Sequence, residues 1–136
     1  MIIKSLELLD YRNYESLQMN FDKGINILYG ENAQGKTNIL EAVYVCCTSK
    51  SHKSAKDRDI IRFDQDESHI KLQNRKNKVP YRIDMHLKKN KPKGIAINGV
   101  PIRKASELFG IANVVFFSPS LPMNSRSWLT VNIGPD

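Results

Sequence analysis

Ile25-Asn26-Ile27-Leu28-Tyr29-Gly30-Glu31-Asn32-Ala33-Gln34-Gly35-Lys36-Thr37 decides the fold. Its first five residues are a short, mostly apolar run of the kind a central β-strand carries. Gly30 to Thr37 then reads Gly-four residues-Gly-Lys-Thr. With Gly at about 7% of residues, such a match arises by chance in a chain this long with odds of roughly half a percent. From Lys36 the pattern turns helical: Ile39, Leu40, Val43 and Cys47 fall on one face, with Tyr44 four residues beyond Leu40. Strand, glycine-rich loop and helix, in that order, are the setting a P-loop requires.

The chemistry explains the spacing. Across Gly30, Glu31, Asn32, Ala33, Gln34 and Gly35, successive backbone N–H groups can wrap a phosphate, and the glycines permit a turn that side chains would block. A helix opening near Lys36 aims its unpaired N–H groups and its positive dipole end at the same anion. Lys36 is expected to reach the β- and γ-phosphates as a point charge, and Thr37 to offer its hydroxyl to Mg²⁺. The implied ligand is a nucleoside triphosphate with Mg²⁺. Hydrolysis needs more, namely carboxylates after a second apolar strand to hold the metal and polarise water. Val114-Val115-Phe116-Phe117 is the late apolar run, and Ser118-Pro119 follows it, so no residue is assigned a catalytic role.

Upstream of the P-loop strand, Ile2, Leu6 and Leu8 share one parity, and Leu17, Met19 and Phe21 alternate strictly with Ser16, Gln18 and Asn20. That period of two predicts an antiparallel pair, with Asp22-Lys23-Gly24 as the turn into the P-loop strand. Downstream, Thr48 to Asp57 reads as a loop and Asp57 to Phe63 as a short helix capped by Asp57. Strands are predicted at Ser68–Gln73, Tyr81–Leu87 and Ile95–Ile97, the last ended by the tight-turn pair Asn98-Gly99. Lys88 to Gly94 is expected to be a basic turn, Arg103 to Phe109 a helix closed by Gly110, and Val114 to Phe117 a buried strand. The fold class is therefore α/β: a mixed sheet with a P-loop helix, beside an antiparallel β region built from the first two strands and residues 68 to 102.

Charge narrows the partners. Lys and Arg number 21 against 14 Asp and Glu, a formal charge of +7. The excess gathers at Lys71, Arg75, Lys76, Lys78, Arg82, Lys88, Lys89, Lys91 and Lys93, with Asp84 the lone acid in that stretch. Such a field favours polyanions, nucleic acid first, although lysines also keep strand edges and loop tips soluble. A hydrophobic fraction of 40% with 26% charged residues is globular composition. No apolar run reaches the roughly 20 residues needed to cross a bilayer, and the first ten residues lack the apolar core of a secretory signal. Cys46 and Cys47 are adjacent, and His52, His69 and His86 are far apart in sequence. Neither set shows disulfide or metal spacing, so the expectation is a cytoplasmic domain in a reducing compartment.

A set of segments then carries a family resemblance. Asp10-Tyr11-Arg12-Asn13-Tyr14 lies between two strands that precede the P-loop strand. The P-loop continues as Gly35-Lys36-Thr37-Asn38-Ile39-Leu40-Glu41-Ala42, Ser51-His52-Lys53 follows its helix, and Lys104 to Gly110 and Val114 to Pro119 come later. Together they resemble the RecF family of bacterial DNA replication and repair ATPases, whose heads are of the ABC/SMC type. The likeness runs from residue 1 to about 119. It implies ATP as the nucleotide, with Arg12 and Asn13 approaching it from the side opposite the P-loop. It also implies double-stranded or gapped DNA and recombination mediator proteins as partners, and an ATP-dependent homodimer. Lys53 stands where the family has arginine, and lysine cannot form a planar bidentate contact.

After Ser118-Pro119 the family pattern stops. Residues 120–136 contain Pro122 and Pro135 and were expected to be an irregular, non-family tail, of the sort a frameshift or early stop leaves. The signature and Walker B elements of the family are not found in this sequence. The expected function is thus ATP-dependent DNA binding in replication and repair, with a non-catalytic nucleotide-binding module or an inactive fragment as the alternative.

Overall fold

The computed structural model describes residues 2–21, 24–30, 33–51, 56–108, 110–111 and 127–133; for 24–30, 33–37 and 127–133 it gives the backbone path only. The chain opens with β1 (Ile2–Tyr11) and β2 (Tyr14–Asn20), an antiparallel hairpin in which Leu6 faces Met19 and Leu8 faces Leu17. Ile3 is buried although its parity opposes that of Leu6 and Leu8. A register shift between Ile3 and Ser5 inserts a residue there and turns both apolar sets to one face. Next come β3 (Gly24–Gly30) and α1 (Ala33–Thr48).

The rest of the antiparallel region follows as β4 (Glu67–Lys76), β5 (Val79–Lys88), β6 (Lys91–Ile97) and β7 (Val100–Pro101). These join the first hairpin in a six-stranded sheet of order β2-β1-β4-β5-β6-β7. All its pairings are antiparallel, as the alternation predicted. β4 and β5 run longer than their apolar residues suggest, because Asn77 and Lys78 form the connecting turn. Both have positive φ, 52° and 65°, the sign pattern of a two-residue hairpin turn. Asn98 and Gly99, at 51° and 81°, do the same between β6 and β7. Pro80 sits in β5 opposite Arg75, beyond the end of the β6 ladder, where no N–H is needed.

Several local expectations are corrected. The stretch from Asp57 closes only a 3₁₀ turn, Asp57–Asp59, with Lys56 rather than Asp57 in the cap position. Arg103 to Phe109 likewise gives a 3₁₀ turn, Ala105–Leu108; both segments are too short and too polar for a full helical turn to gain packing. The basic turn shrinks to Lys89-Asn90, since β6 already starts at Lys91. In the tail, Ser127–Ile133 forms β8, antiparallel to β3 from Gly24↔Ile133 to Gly30↔Ser127. The period was present in the sequence: Leu129, Val131 and Ile133 alternate with Trp128, Thr130 and Asn132. The prolines on either side obscured it. Val114 to Phe117 and the Asp22-Lys23 part of the predicted turn lie outside the described residues.

α1 lies against β4 and β5 on one side and also contacts β3 and β8. It is therefore buried almost all round rather than along one stripe: Asn38 to Val43 and Val45 to Cys47 are all inaccessible. One face meets Leu6, Leu8, Ile70, Leu72, Ile83, Met85 and Leu87 from the sheet, which form one core with it. Cys46 and Cys47 are free and buried; burial raises both thiols, Cys47 to about 12, so neither is a nucleophile at neutral pH. Leu72 is fully buried between β1 and β5 beneath the helix. Leu72→Ala should cost about 3 kcal/mol, the middle of the range for emptying such a site, read as a lower urea midpoint with unchanged slope.

Candidate functional site

Two stretches of backbone meet at the start of α1. β3 ends at Gly30 and α1 begins at Ala33, so a strand comes directly before the helix, two residues apart, as the motif demands. Glu31 and Asn32 lie outside the described residues. Ala33, Gln34, Gly35, Lys36 and Thr37 form the first part of α1, three residues ahead of the expected start at Lys36. Apolar periodicity could not mark that turn, because Ala33, Gln34 and Gly35 contribute no large apolar side chain.

The second stretch is the hairpin between β1 and β2. Tyr11 pairs with Tyr14, leaving Arg12 and Asn13 as the two-residue loop. Arg12 has φ of 49° whereas Asn13 does not take a positive φ, the sign pattern of a turn that favours glycine at its first position. An arginine there costs about 1–2 kcal/mol of backbone strain. Its contacts offset this. The Arg12 N–H donates to the Ile60 carbonyl at 2.7 Å, and its side chain is held as tightly.

Glu41 of α1 is the centre of that hold. Arg12 Nε donates to Glu41 Oε1 and Nη2 to Oε2, each at 2.7 Å, a bidentate pair. The Tyr11 hydroxyl donates to Oε1 at 2.6 Å, and the Ser51 hydroxyl donates to Oε2. Arg12 Nη1 also reaches the Asp59 carbonyl at 3.2 Å. One helical turn earlier, Asn38 Nδ2 donates to Asn13 Oδ1 at 2.9 Å. Asn38 and Glu41, three residues apart, present neighbouring groups on one face of α1 to one hairpin. The Glu41 side chain is fully buried, and that of Arg12 is 20% exposed.

The electrostatics follow from this packing. Burial pushes the Glu41 carboxyl up, but hydrogen bonds from Arg12, Ser51 and Tyr11 outweigh it and hold the carboxyl below its ordinary value. Tyr11 is raised, first by burial and then by the Glu41 charge, so its hydroxyl stays a donor. Arg12 is raised chiefly by its hydrogen bond to Glu41. Sequence reading named Arg12 and Asn13 but gave no role to Tyr11, Asn38 or Glu41. The available signal was an acid inside Ile39-Leu40-Glu41-Ala42-Val43, where an unpaired charge would not be tolerated. Ser51 takes its place on Glu41; His52 and Lys53 lie outside the described residues.

The basic residues separate into two groups. Lys71 pairs with Glu7 at 3.4 Å, Arg82 with Asp84 at 2.8 Å, and Lys93 with Asp57 at 3.1 Å. Lys93 also donates to the Ser49 carbonyl just past α1, so it ties the sheet to the helix end instead of facing solvent. Lys88, Lys89 and Lys91, with Lys56, Asp57 and Arg58, line an open cleft of ≈ 340 Å³.

The comparisons with known proteins agree with this architecture. The family model described as AAA domain matches residues 5–117, and the chain belongs to that family. Within it, 119 residues, 88% of the chain, are 68% identical to the DNA replication and repair protein RecF of Lachnospira eligens, of which they cover 33%. The structure of the recombination mediator protein RecF with ATP, in the RecFOR pathway, matches with a TM-score of 0.81 at 29% identity, over 87% of this chain and 32% of that one. An SMC ATPase structure matches with a TM-score of 0.71 at 20% identity, over 82% of this chain and 77% of that one, which shows the shared fold. The fold is that of a P-loop NTPase of the ABC/SMC-head type, and the resemblance is to the N-terminal portion of RecF. The chain spans about a third of the length of the curated relatives it matches. Among the described residues no helix is long and apolar enough to cross a membrane.

Breaking the central ion pair should be costly. Glu41→Gln leaves Arg12 without its counter-charge, and since Arg12 keeps some solvent contact the loss should be about 3 kcal/mol, the low end for buried pairs. The sign with pH is fixed. The folded Glu41 pKa lies below the unfolded value of about 4.3, so its contribution is present above that pH and lost as pH falls through the folded pKa. Urea unfolding from pH 7 to pH 3 should show stability falling with acid in the parent, and a shallower fall in Glu41→Gln.

Proposed function

We propose that this chain binds ATP with Mg²⁺ through Gly30 to Thr37, as part of a RecF-like DNA replication and repair protein. The observation that carries the reading is the β3–loop–α1 unit bearing the full Gly30-Glu31-Asn32-Ala33-Gln34-Gly35-Lys36-Thr37 motif, with the Arg12 hairpin clamped to the same helix. The RecF relative of known structure was solved with ATP, which supports that nucleotide. The loop amides and the α1 N-terminus cradle the phosphates, Lys36 contacts the β and γ groups, and Thr37 ligates Mg²⁺.

Arg12 and Asn13 complete the site from the other side. A guanidinium carries five N–H donors, and its contacts among the described residues use Nε, Nη1 and Nη2 once each. Among the described residues the remaining N–H groups have no hydrogen-bond partner, and Glu41 fixes the plane in which they point. In this reading DNA, double-stranded or gapped, meets the basic cleft of Lys56, Arg58, Lys88, Lys89 and Lys91. Dimerisation around ATP and contact with recombination mediator proteins belong to the longer RecF-like protein. The residues assigned here supply nucleotide binding; none supplies the carboxylate that turnover requires.

Lys36→Ala should weaken Mg-ATP binding tenfold or more in titration calorimetry, since a charge-assisted hydrogen bond is worth about 1.5–3 kcal/mol. Unchanged affinity in a folded variant would remove the assignment. ATP turnover with and without double-stranded DNA separates a repair ATPase from a module that only binds.

A further inference from the structure

The face of the sheet turned away from α1 carries a cluster that nucleotide binding does not use. In β4, Ser68, Ile70 and Leu72 point inward, so Glu67 and His69 point outward. In β5, Met85 and Leu87 point inward and His86 outward. Register places His69 directly opposite His86, and their rings stack with centroids 4.1 Å apart and planes 20° from parallel. Glu67 Oε1 lies 3.3 Å from His86 Nε2. One ligand atom from each of Glu67, His69 and His86 falls within 4.8 Å of the others.

We propose that Glu67, His69 and His86 form a binding site for a divalent transition-metal ion of the zinc type. Two imidazoles and a carboxylate are the donor set that such ions take, with water in the remaining position. Bonds of about 2.0–2.2 Å to one tetrahedral ion place donor atoms roughly 3.3–3.5 Å apart. The His86–Glu67 separation already meets this; His69 is stacked on His86, so its exposed ring must turn out of that stack to aim its nitrogen at the same ion.

A second observation points the same way. His86 Nε2 is buried yet makes no hydrogen bond among the described residues, although Glu67 Oε1 lies 3.3 Å away. A buried ring nitrogen that faces a carboxylate without a hydrogen bond calls for an explanation, and a cation held between the two supplies one. The histidines line a groove of ≈ 670 Å³ on this face, which leaves room for the ion's water ligand. An ion here would staple β4 to β5 near the middle of the six-stranded sheet. The site shares no residue with the P-loop, so it stands or falls separately from the nucleotide reading.

The test is titration of the chelator-treated chain with Zn²⁺ in the absence of nucleotide. One equivalent should bind, with a rise in melting temperature, and the His69→Gln/His86→Gln double variant should bind at least tenfold more weakly. In the unmutated protein, ¹⁵N-imidazole NMR should show zinc shifting the resonances of His69 and His86 and sparing His52. No binding at a large excess of zinc, equal affinity in the double variant, or a zinc response confined to His52 would each overturn the proposal. The NMR readout keeps it decidable even if the double variant fails to fold. Lys36→Ala should leave zinc affinity unchanged.

Discussion

The bidentate pair between Arg12 and Glu41 is the constraint on which the arrangement depends. Glu41 lies on a helix enclosed on nearly every side, where a lone carboxylate would cost several kcal/mol. Three donors reach it: the Arg12 fork, the Tyr11 hydroxyl and the Ser51 hydroxyl. Each comes from a different place in the chain. Tyr11 belongs to β1, Arg12 to the hairpin loop, and Ser51 to the segment leaving α1. One carboxylate therefore fixes where the first hairpin, the helix and the following segment stand relative to one another. A hydrophobic substitute of the same volume could fill the space but could not specify those three directions.

The surrounding sheet makes that geometry rigid. β1 is paired on both edges, with β2 and with β4, so the Arg12 loop projects from a strand that cannot slide. A slip by one residue would turn Leu6 and Leu8 outward and Glu7 inward, which the core forbids. The loop is tied down again where Tyr11 bridges Ile61 and Arg62 N–H donates to the Asp10 carbonyl at 2.8 Å. Backbone strain at Asp10 and Arg12, both with φ of 49°, is held by these contacts.

The fold was legible in proportion to how strictly side chains alternate. Leu17-Met19 and Ile83-Met85-Leu87 each have a polar residue at every second position, and both lie in strands where expected, β2 ending one residue short of Phe21. The P-loop NTPase fold class was legible for a different reason: Gly30, Gly35, Lys36 and Thr37 stand at a fixed spacing between a strand and a helix. What stayed hidden was of two kinds. β8 was obscured because prolines before and after it outweighed the alternation of Leu129, Val131 and Ile133. The roles of Glu41 and Asn38 were hidden because a polar residue in a helix normally marks the solvent side, and only the three-dimensional enclosure of α1 reverses that inference. Likewise, His69 and His86 are 17 positions apart in sequence, and the β4–β5 register alone makes them neighbours.

The spacing along α1 has a consequence for how the two ends of the site communicate. An α-helix advances about 1.5 Å per residue, so Glu41 lies roughly 7–8 Å along the axis from Lys36. Over that distance the continuous backbone hydrogen bonds of an α-helix make it a stiff connection. Asn38 and Glu41 grip the Arg12-Asn13 hairpin from the same helix whose opening residues include Lys36 and Thr37. Any displacement of that first turn is therefore transmitted to Arg12 through side-chain contacts of 2.7 Å rather than across solvent. The hairpin in turn is continuous with β1 and β2, one edge of the six-stranded sheet. The N-terminal end of the helix and the β2 edge of the sheet are thus joined by one short chain of strong, directional contacts, and Glu41 is the link through which it passes.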